Sequence, residues 1–150
     1  MLLSQHTILL VEDKSNDVLL IRRALAKLNI ANPLHVLGDG DEAVAYLAGH
    51  GSFSDRERCP LPGVVLLDLK LPRRSGLEVL QWVRQQPGLK RLPVVVLTSS
   101  RETRDINRAY DLGANSYLVK PVEFGPLLEM MKNFGPYWLA LNQKPELQAT

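Results

Sequence analysis

Apolar residues are grouped along this chain in a pattern that predicts five strand–helix pairs. Five short apolar runs, bounded by polar or loop residues, are typical of strands buried in a parallel sheet. They cover residues 7–11, 33–37, 64–67, 93–97 and 116–119. Apolar residues at helical spacing follow each run, so the chain is expected to alternate strictly between strand and helix.

Strict alternation indicates an α/β fold with a parallel sheet and helices on both faces. Right-handed crossovers then place the carboxyl ends of all the strands along one edge of the sheet. Of the two common doubly wound arrangements, five strands fit the flavodoxin-like order 2-1-3-4-5. The second strand contains Pro33 near its start and is expected at an edge of the sheet, where proline is tolerated.

Helix boundaries follow ordinary signals. Ser15 or Asn16 can cap the first helix, with Asp17 favourable in its first turn, and Gly113 can end the fourth in a left-handed conformation. Gly135-Pro136 is expected to interrupt the last helix. Residues 49–63 are rich in Gly, Ser, Asp, Arg and Pro, and are interpreted as an inserted surface loop without structure of its own.

Length and composition indicate one domain, residues 1–150, with a core of about 7–134 and an extension at 135–150. The 150 residues are 45% hydrophobic and 23% charged, with a net charge of +2, which is too mild to indicate nucleic-acid binding. The single cysteine excludes an intrachain disulfide. No apolar run approaches the length of a membrane span, and residues 1–6 lack a signal-peptide pattern. We therefore expect a cytoplasmic protein that binds neither nucleic acid nor membrane.

Polar residues follow four of the strands at the edge where their carboxyl ends meet. They are Glu12 and Asp13 after the first strand, Asp68 after the third, Thr98 after the fourth and Lys120 after the fifth. Three carboxylates in one crevice repel one another and need a counter-charge. Mg²⁺ suits such a site because it prefers carboxylate oxygens and leaves positions open for phosphate oxygens.

This set of residues favours attack by a carboxylate on phosphorus, which gives an aspartyl phosphate. Asp68 follows the central strand and is the predicted phosphoacceptor. Glu12 and Asp13 are predicted to hold the metal, together with Asp68 and the backbone carbonyl of Lys70. Lys120 adds a point-like positive charge, and the Thr98 hydroxyl can meet a phosphoryl oxygen. Each residue alone is more often a helix cap or turn residue, but their joint placement at separate strand ends favours the functional interpretation.

The chain resembles a response-regulator receiver domain of two-component signalling. The motifs that carry this resemblance are the acidic pair, the strand ending at Asp68, Pro72 with Ser75-Gly76, the Leu97-Thr98-Ser99 segment, and the segment from Gly113-Ala114 to Lys120-Pro121. The resemblance implies that Asp68 is the phosphoacceptor, that Thr98 is the switch hydroxyl and that Lys120 binds the phosphoryl group. It also implies that Tyr117 is the switch aromatic and that the Lys120–Pro121 bond is cis.

Within that family the chain is most similar to the small cyanobacterial phytochrome-associated response regulators. The support is Leu-Val-Glu-Asp at residues 10–13, the loop after Leu47, the 92–100 segment and the Phe-Gly-Pro-Tyr-Trp-Leu tail. This implies a stand-alone phosphoacceptor that assists only its own phosphorylation and dephosphorylation. Its expected partner is a sensor histidine kinase, of phytochrome type. Lys70 departs from the neutral polar residue common at this place, and a long cation there is expected to slow hydrolysis of the phosphoryl group.

Three other interpretations remain open at this point. A flavodoxin-like cofactor-binding protein would need a phosphate loop after the first strand, where Glu12-Asp13-Lys14 has the wrong charge. A phosphatase with an aspartyl nucleophile would need a second acid two residues after Asp68, where Lys70 stands. An inactive scaffolding receiver would not need the complete set of acids, threonine and lysine.

The last helix also predicts a homodimer. If the helix is continuous, Leu127, Met131, Phe134 and Trp138 form its core stripe, while Leu128 and Leu139 point away. Apolar residues off the core, with Tyr137 and Trp138, are typical of a contact surface. The predicted interface is the face formed by the fourth helix, fifth strand and fifth helix. The alternative is a turn at Gly135-Pro136 that folds the tail back onto its own domain and leaves a monomer.

Overall fold

Five parallel strands form one sheet in the order β2-β1-β3-β4-β5, which confirms the predicted topology. The computed structural model describes residues 6–148, so residues 1–5 and the last two residues of the predicted extension lie outside it. The strands are β1 (Ile8–Val11), β2 (Leu34–Leu37), β3 (Val64–Leu67), β4 (Val94–Thr98) and β5 (Ser116–Val119). As expected, β2 lies at an edge.

A helix follows every strand. The helices are α1 (Ser15–Lys27), α2 (Gly40–Ala48), α3 (Gly76–Gln85), α4 (Thr103–Asp111) and α5 (Phe124–Pro136). Because α1 already includes Ser15 and Asn16, its N-cap is Lys14, which makes no side-chain cap. Gly113 has a φ of 104° just after α4, which agrees with the predicted left-handed end. No helix in the described part of the chain is long and apolar enough to cross a lipid bilayer.

Alternate residues of each strand point to opposite faces of the sheet and build two apolar layers. On one face, α2 and α3 cover a layer that includes Leu9, Val65 and Val94. On the other face, α1 and α5 cover a layer that includes Leu10 and Leu66. The strands of the sheet centre, β1, β3 and β4, are buried throughout. This packing fixes where each strand ends and which residues follow it.

The 49–63 insertion is more ordered than its composition predicts. It contains a short 3₁₀ helix, Gly51–Phe53. The Arg56 guanidinium donates to the carbonyls of Tyr46 and Leu47 at the end of α2, each at 2.8 Å. The Tyr46 hydroxyl in turn donates to the Pro60 carbonyl at 2.8 Å. The Arg56 guanidinium and the Tyr46 hydroxyl thus hold the loop against α2. The amino-acid composition of the loop does not predict these hydrogen bonds.

Gly135-Pro136 changes the type of the last helix but does not break its helical backbone, so the predicted interruption is only partly confirmed. Pro136 ends the α-helical part, and the chain continues as a π-helical segment, Tyr137–Leu141, which the Asn142 amide closes on the Tyr137 carbonyl at 2.7 Å. A proline cannot donate to the preceding turn, and a wider turn accommodates the missing donor. Gly135 lies close to the end of the Ile30 side chain, since a Cβ there would be 2.7 Å from Ile30 Cδ1.

The wider turn also changes which tail residues are buried. Leu139 is 3% exposed and belongs to the core under α5, whereas Trp138 is only half-buried. Trp138 still packs against the core formed by the other predicted stripe residues, but the prediction that Leu128 and Leu139 point away is wrong, because both contact that core. Tyr137 and Leu141 are about half exposed, at 51% and 55%. Beyond Leu141 the chain runs back along its own domain, where the Gln148 amide donates to the Gly88 carbonyl at 2.8 Å.

Candidate functional site

The acidic cluster lies at the carboxyl ends of two neighbouring strands. Val11 and Leu67 are paired in the β1–β3 register, so Glu12 and Asp68 leave the sheet side by side, with Asp13 next to them. One carboxylate oxygen from each of the three lies within 4.8 Å of the others. Glu12 and Asp68 are buried, at 2% and 3% exposure, and Asp13 is exposed. The structure thus brings together the three predicted carboxylates.

Lys120 completes this cluster from the end of β5. Its ammonium donates to Asp68 Oδ2 at 2.9 Å and makes a very short contact with Glu12. It also donates to Asp17 Oδ2 at 2.9 Å. From the sequence, Asp17 is expected only to favour the first turn of α1, so its contact with Lys120 is an additional finding. The first turn of α1 comes directly after β1, at the sheet edge where Lys120 also lies. This shared position is the sequence feature that predicts a contact between Asp17 and Lys120.

Burial and Lys120 act in opposite directions on the two buried carboxyls. Burial raises the pKa of Glu12 to about 7, although the Lys120 hydrogen bond opposes it. Burial would likewise raise the pKa of Asp68, but the hydrogen bond and charge of Lys120 outweigh it and hold that pKa below its ordinary value. The carboxylates around Lys120 raise the pKa of its ammonium despite burial. Of the two buried carboxyls, Asp68 therefore has the lower pKa and loses its proton more readily than Glu12.

Thr98 ends β4 beside this cluster. The residue is fully buried, and its hydroxyl makes no well-formed hydrogen bond to a described residue. It nevertheless lies close enough to Asp68 to help lower the pKa of that carboxyl. A buried hydroxyl without a partner is unfavourable, and such groups are frequent at functional sites. Nearby, the Tyr117 hydroxyl donates to the Ser100 carbonyl at 3.0 Å, and Ser100 Oγ donates to Asp105 at 2.5 Å. Among the described residues, Thr98 thus has the one buried side-chain polar atom that makes no well-formed hydrogen bond.

The loop after β3 is held close to Asp68. The Lys70 amide donates to Asp68 Oδ1 at 3.3 Å, while the Lys70 side chain is exposed. Gly76 begins α3 directly against this loop, since a Cβ at this position would lie 2.1 Å from the Asp68 carbonyl oxygen. Any side chain at Gly76 would push the loop away. The close approach explains why a glycine stands at this place in the Ser75-Gly76 motif.

The donor set fits a hard divalent cation. Three carboxylates offer only oxygen ligands, which Mg²⁺ and Mn²⁺ accept readily, and the exposed side of the cluster at Asp13 leaves room for water or phosphate oxygens. Lys120 balances only part of the negative charge of Glu12, Asp13, Asp17 and Asp68. A cation at the cluster would neutralise more of it.

The predicted cis bond at Lys120–Pro121 is not found. All peptide bonds in the described part of the chain are trans. The trans form is the commoner one before proline, by about 0.5–1 kcal/mol. In this structure Lys120 reaches the carboxylates from a trans backbone.

Comparison with known proteins places the chain among signalling domains. The family model of the response regulator receiver domain matches residues 8–132. Response regulator Rcp1 of Synechocystis sp. is 41% identical over 132 residues, which make up 88% of this chain and 88% of Rcp1.

Solved structures agree with that comparison. The phosphorylated cyanobacterial phytochrome response regulator RcpA matches with a TM-score of 0.87 and 38% identity, covering 94% of this chain and 99% of RcpA. The Mn²⁺-bound form of Rcp1 matches with a TM-score of 0.84 and 39% identity, covering 93% of this chain and 99% of Rcp1. The likeness therefore extends over nearly the whole chain in both sequence and structure.

Proposed function

Since the chain belongs to the response regulator receiver family, we propose that it accepts a phosphoryl group on Asp68 from a histidine kinase and signals through a change of conformation. The observation that carries this proposal is the ionised, buried Asp68 carboxylate 2.9 Å from the Lys120 ammonium. A nucleophile, the Lys120 ammonium and the Thr98 hydroxyl meet at one sheet edge. Phosphoryl transfer needs this combination of positioning and charge neutralisation.

The proposed step is displacement at phosphorus. An Asp68 carboxylate oxygen forms the new P–O bond, and the bond between phosphorus and the imidazole nitrogen of the kinase histidine breaks, with its electron pair remaining on the imidazole. The Lys120 ammonium stabilises the negative charge of the phosphoryl oxygens. The Thr98 hydroxyl donates to one of these oxygens and so gains a well-formed hydrogen bond. Thr98 movement then allows Tyr117 to exchange its contact with the Ser100 carbonyl for a new one, which changes the surface at α4 and β5.

We assign the metal site to Glu12, Asp13, Asp68 and the backbone carbonyl of Lys70, with Mg²⁺ as the ion. When bound, the cation supplies charge neutralisation at the phosphoryl oxygens. The three clustered carboxylates support this assignment for their part, and the Lys70 backbone lies beside them because its amide donates to Asp68. Few protein ligands imply modest affinity.

We propose a phytochrome-type kinase as the partner and a single receiver domain, with residues 135–150 as its extension. The likeness to Rcp1 and to RcpA, a phytochrome response regulator, supports the kinase class. The test is phosphotransfer from a panel of purified histidine kinases that includes bacterial phytochromes, read after short incubation. Fast transfer from a phytochrome, absent in Asp68→Asn, is expected. Equal or faster transfer from unrelated kinases would contradict the partner class but not the phosphoacceptor.

We also propose a homodimer through the α4–β5–α5 face. Half-exposed Tyr137 and half-buried Trp138 pack edge to face, with ring centroids 5.0 Å apart. Together with Leu118 and Met130 they line an apolar depression of about 330 Å³ on this face. The continuous helix supports a rigid contact surface, although Leu139 no longer contributes to it. The run of the chain after Leu141 along its own domain leaves this depression open.

A further inference from the structure

Lys120 uses its full hydrogen-bonding capacity on carboxylates. An ammonium group has three N–H donors, and three different side chains accept them. Asp17 and Asp68 each accept at 2.9 Å, and Glu12 makes the shortest contact. The Lys120 side chain is only 10% exposed, so water competes little for these donors. The position of the ammonium is therefore determined jointly by β1, β3 and the first turn of α1.

Asp17 differs from the other two acceptors. Glu12 and Asp68 belong to the carboxylate cluster that fits a cation, whereas Asp17 is not part of that cluster. Its side chain is 28% exposed and comes from the first turn of α1. A bound cation would share Glu12 and Asp68 with the Lys120 ammonium, whereas Asp17 is not among the carboxylates that would hold it. Asp17 is thus the one acceptor of the ammonium with no second role in the proposed chemistry.

We propose that Asp17 is a positioning residue, which holds the Lys120 ammonium beside Asp68 from the α1 side and thereby speeds phosphoryl transfer to Asp68. This inference rests on the proposed function of Asp68. Asp17 acts through Lys120 and does not itself touch the phosphoryl group. Preorganised charges contribute more to transfer than charges that must first be brought into place.

Removing the Asp17 charge should slow phosphorylation. Without Asp17, only Glu12 and Asp68 would accept hydrogen bonds from the ammonium, and a bound cation would compete for both. Lys120 would then also adopt positions away from Asp68. Because the pair is partly exposed, we expect a moderate effect, about fivefold for Asp17→Asn at saturating phosphodonor. The donor concentration at half-maximal rate should change less, since Asp17 does not bind the donor.

The kinetic test compares Asp17→Asn with Asp111→Asn, using an acyl phosphate as donor. Asp111 is exposed at the far end of α4, so this control removes the same charge away from the site. We expect the phosphorylation rate to fall in Asp17→Asn but not in Asp111→Asn. In the Lys120→Met background, adding Asp17→Asn should reduce the rate little further. An unchanged or faster rate in Asp17→Asn would overturn the proposal. So would an equal fold-loss in the Lys120→Met background, because Asp17 would then act independently of Lys120.

A second measurement needs no phosphorylation. Side-chain NMR of Lys120 in the unmodified protein reports the mobility of its ε-methylene and the hydrogen exchange of its ammonium. Asp17→Asn should make the methylene more mobile and the exchange faster, and Asp111→Asn should change neither. Unchanged Lys120 signals would overturn the positioning role even if Asp68 is phosphorylated. Conversely, a wild-type protein with ordered Lys120 that accepts no phosphoryl group would contradict the proposed function but leave the placement by Asp17 standing.

Discussion

Lys120 and Asp68 are 52 residues apart in the chain, and their side chains are joined by a hydrogen bond of 2.9 Å in a buried setting. The pair links the end of β5 to the end of β3. The ammonium lowers the pKa of Asp68 against the effect of burial, which favours the ionised carboxylate that the proposed phosphoryl transfer requires.

Asp13→Asn should weaken Mg²⁺ binding. Asp13 is the exposed acid of the cluster, and its replacement removes one anionic ligand without adding a cavity to the core. We expect the dissociation constant to rise about tenfold or more, because a cation with few protein ligands depends strongly on each charge. Amide chemical shifts during a Mg²⁺ titration measure it, with Asp111→Asn as the charge-matched control. Undiminished binding in Asp13→Asn would contradict the assigned site.

Metal binding should also depend on pH through Glu12. Burial raises the pKa of Glu12 to about 7, so the carboxyl holds a proton below that pH and must release it to bind a cation. Affinity therefore rises as pH increases through 7, and a single proton predicts about tenfold tighter binding at pH 8 than at pH 6. The same titration at several pH values tests this. An affinity that is constant over this range would show that Glu12 is already ionised.

Lys70→Asn should shorten the lifetime of the phosphorylated protein. The exposed Lys70 side chain starts two residues after Asp68 and can obstruct the approach of water to the phosphoryl group. We expect hydrolysis to be faster in Lys70→Asn, by a few-fold, in a dephosphorylation time course followed by intact mass. Lys90→Asn removes an exposed lysine elsewhere and should not change the rate. Equal lifetimes of wild type and Lys70→Asn would refute the obstruction.

The tail face should support a dimer at micromolar concentration. Replacing both Tyr137 and Trp138 with alanine removes the two aromatic rings of the proposed contact but leaves Leu139 in the core. Sedimentation should find a dimeric wild type and a monomeric double variant, with circular dichroism confirming that the variant is folded. Leu19 is exposed on α1, so Leu19→Ala serves as the control and should remain dimeric. A wild type that is monomeric at all concentrations would contradict the interface.

Sequence patterns predicted the sheet well because its determinants are local. Each strand is a short apolar run, and burial on both faces requires such a run whatever surrounds it. The acidic cluster also followed from topology, because parallel strands deliver their next residues to one edge. Predictions failed where a residue serves a distant contact. Gly135 looks like a helix terminator but lies within a helical backbone that passes close to Ile30, and Arg56 looks like a loop charge but binds the end of α2.

The same reason explains why the sequence indicated only part of the site. Asp17 has an ordinary place in the first turn of a helix. Its second contact, as an acceptor of the Lys120 ammonium, depends on the position of Lys120 across the crevice. The bond between Lys120 and Pro121 was predicted cis from family likeness alone and is trans. Nothing in the local sequence distinguishes these two forms.

Intact-mass analysis after incubation with an acyl phosphate and Mg²⁺ tests the central proposal most directly. We expect wild type to gain one phosphoryl group and Asp68→Asn to gain none. Asp111→Asn, which keeps Asp68 and loses a distant carboxylate, should be labelled like wild type. Equal labelling of Asp68→Asn, or more than one phosphoryl group on wild type, would contradict the assignment of Asp68 as the sole phosphoacceptor.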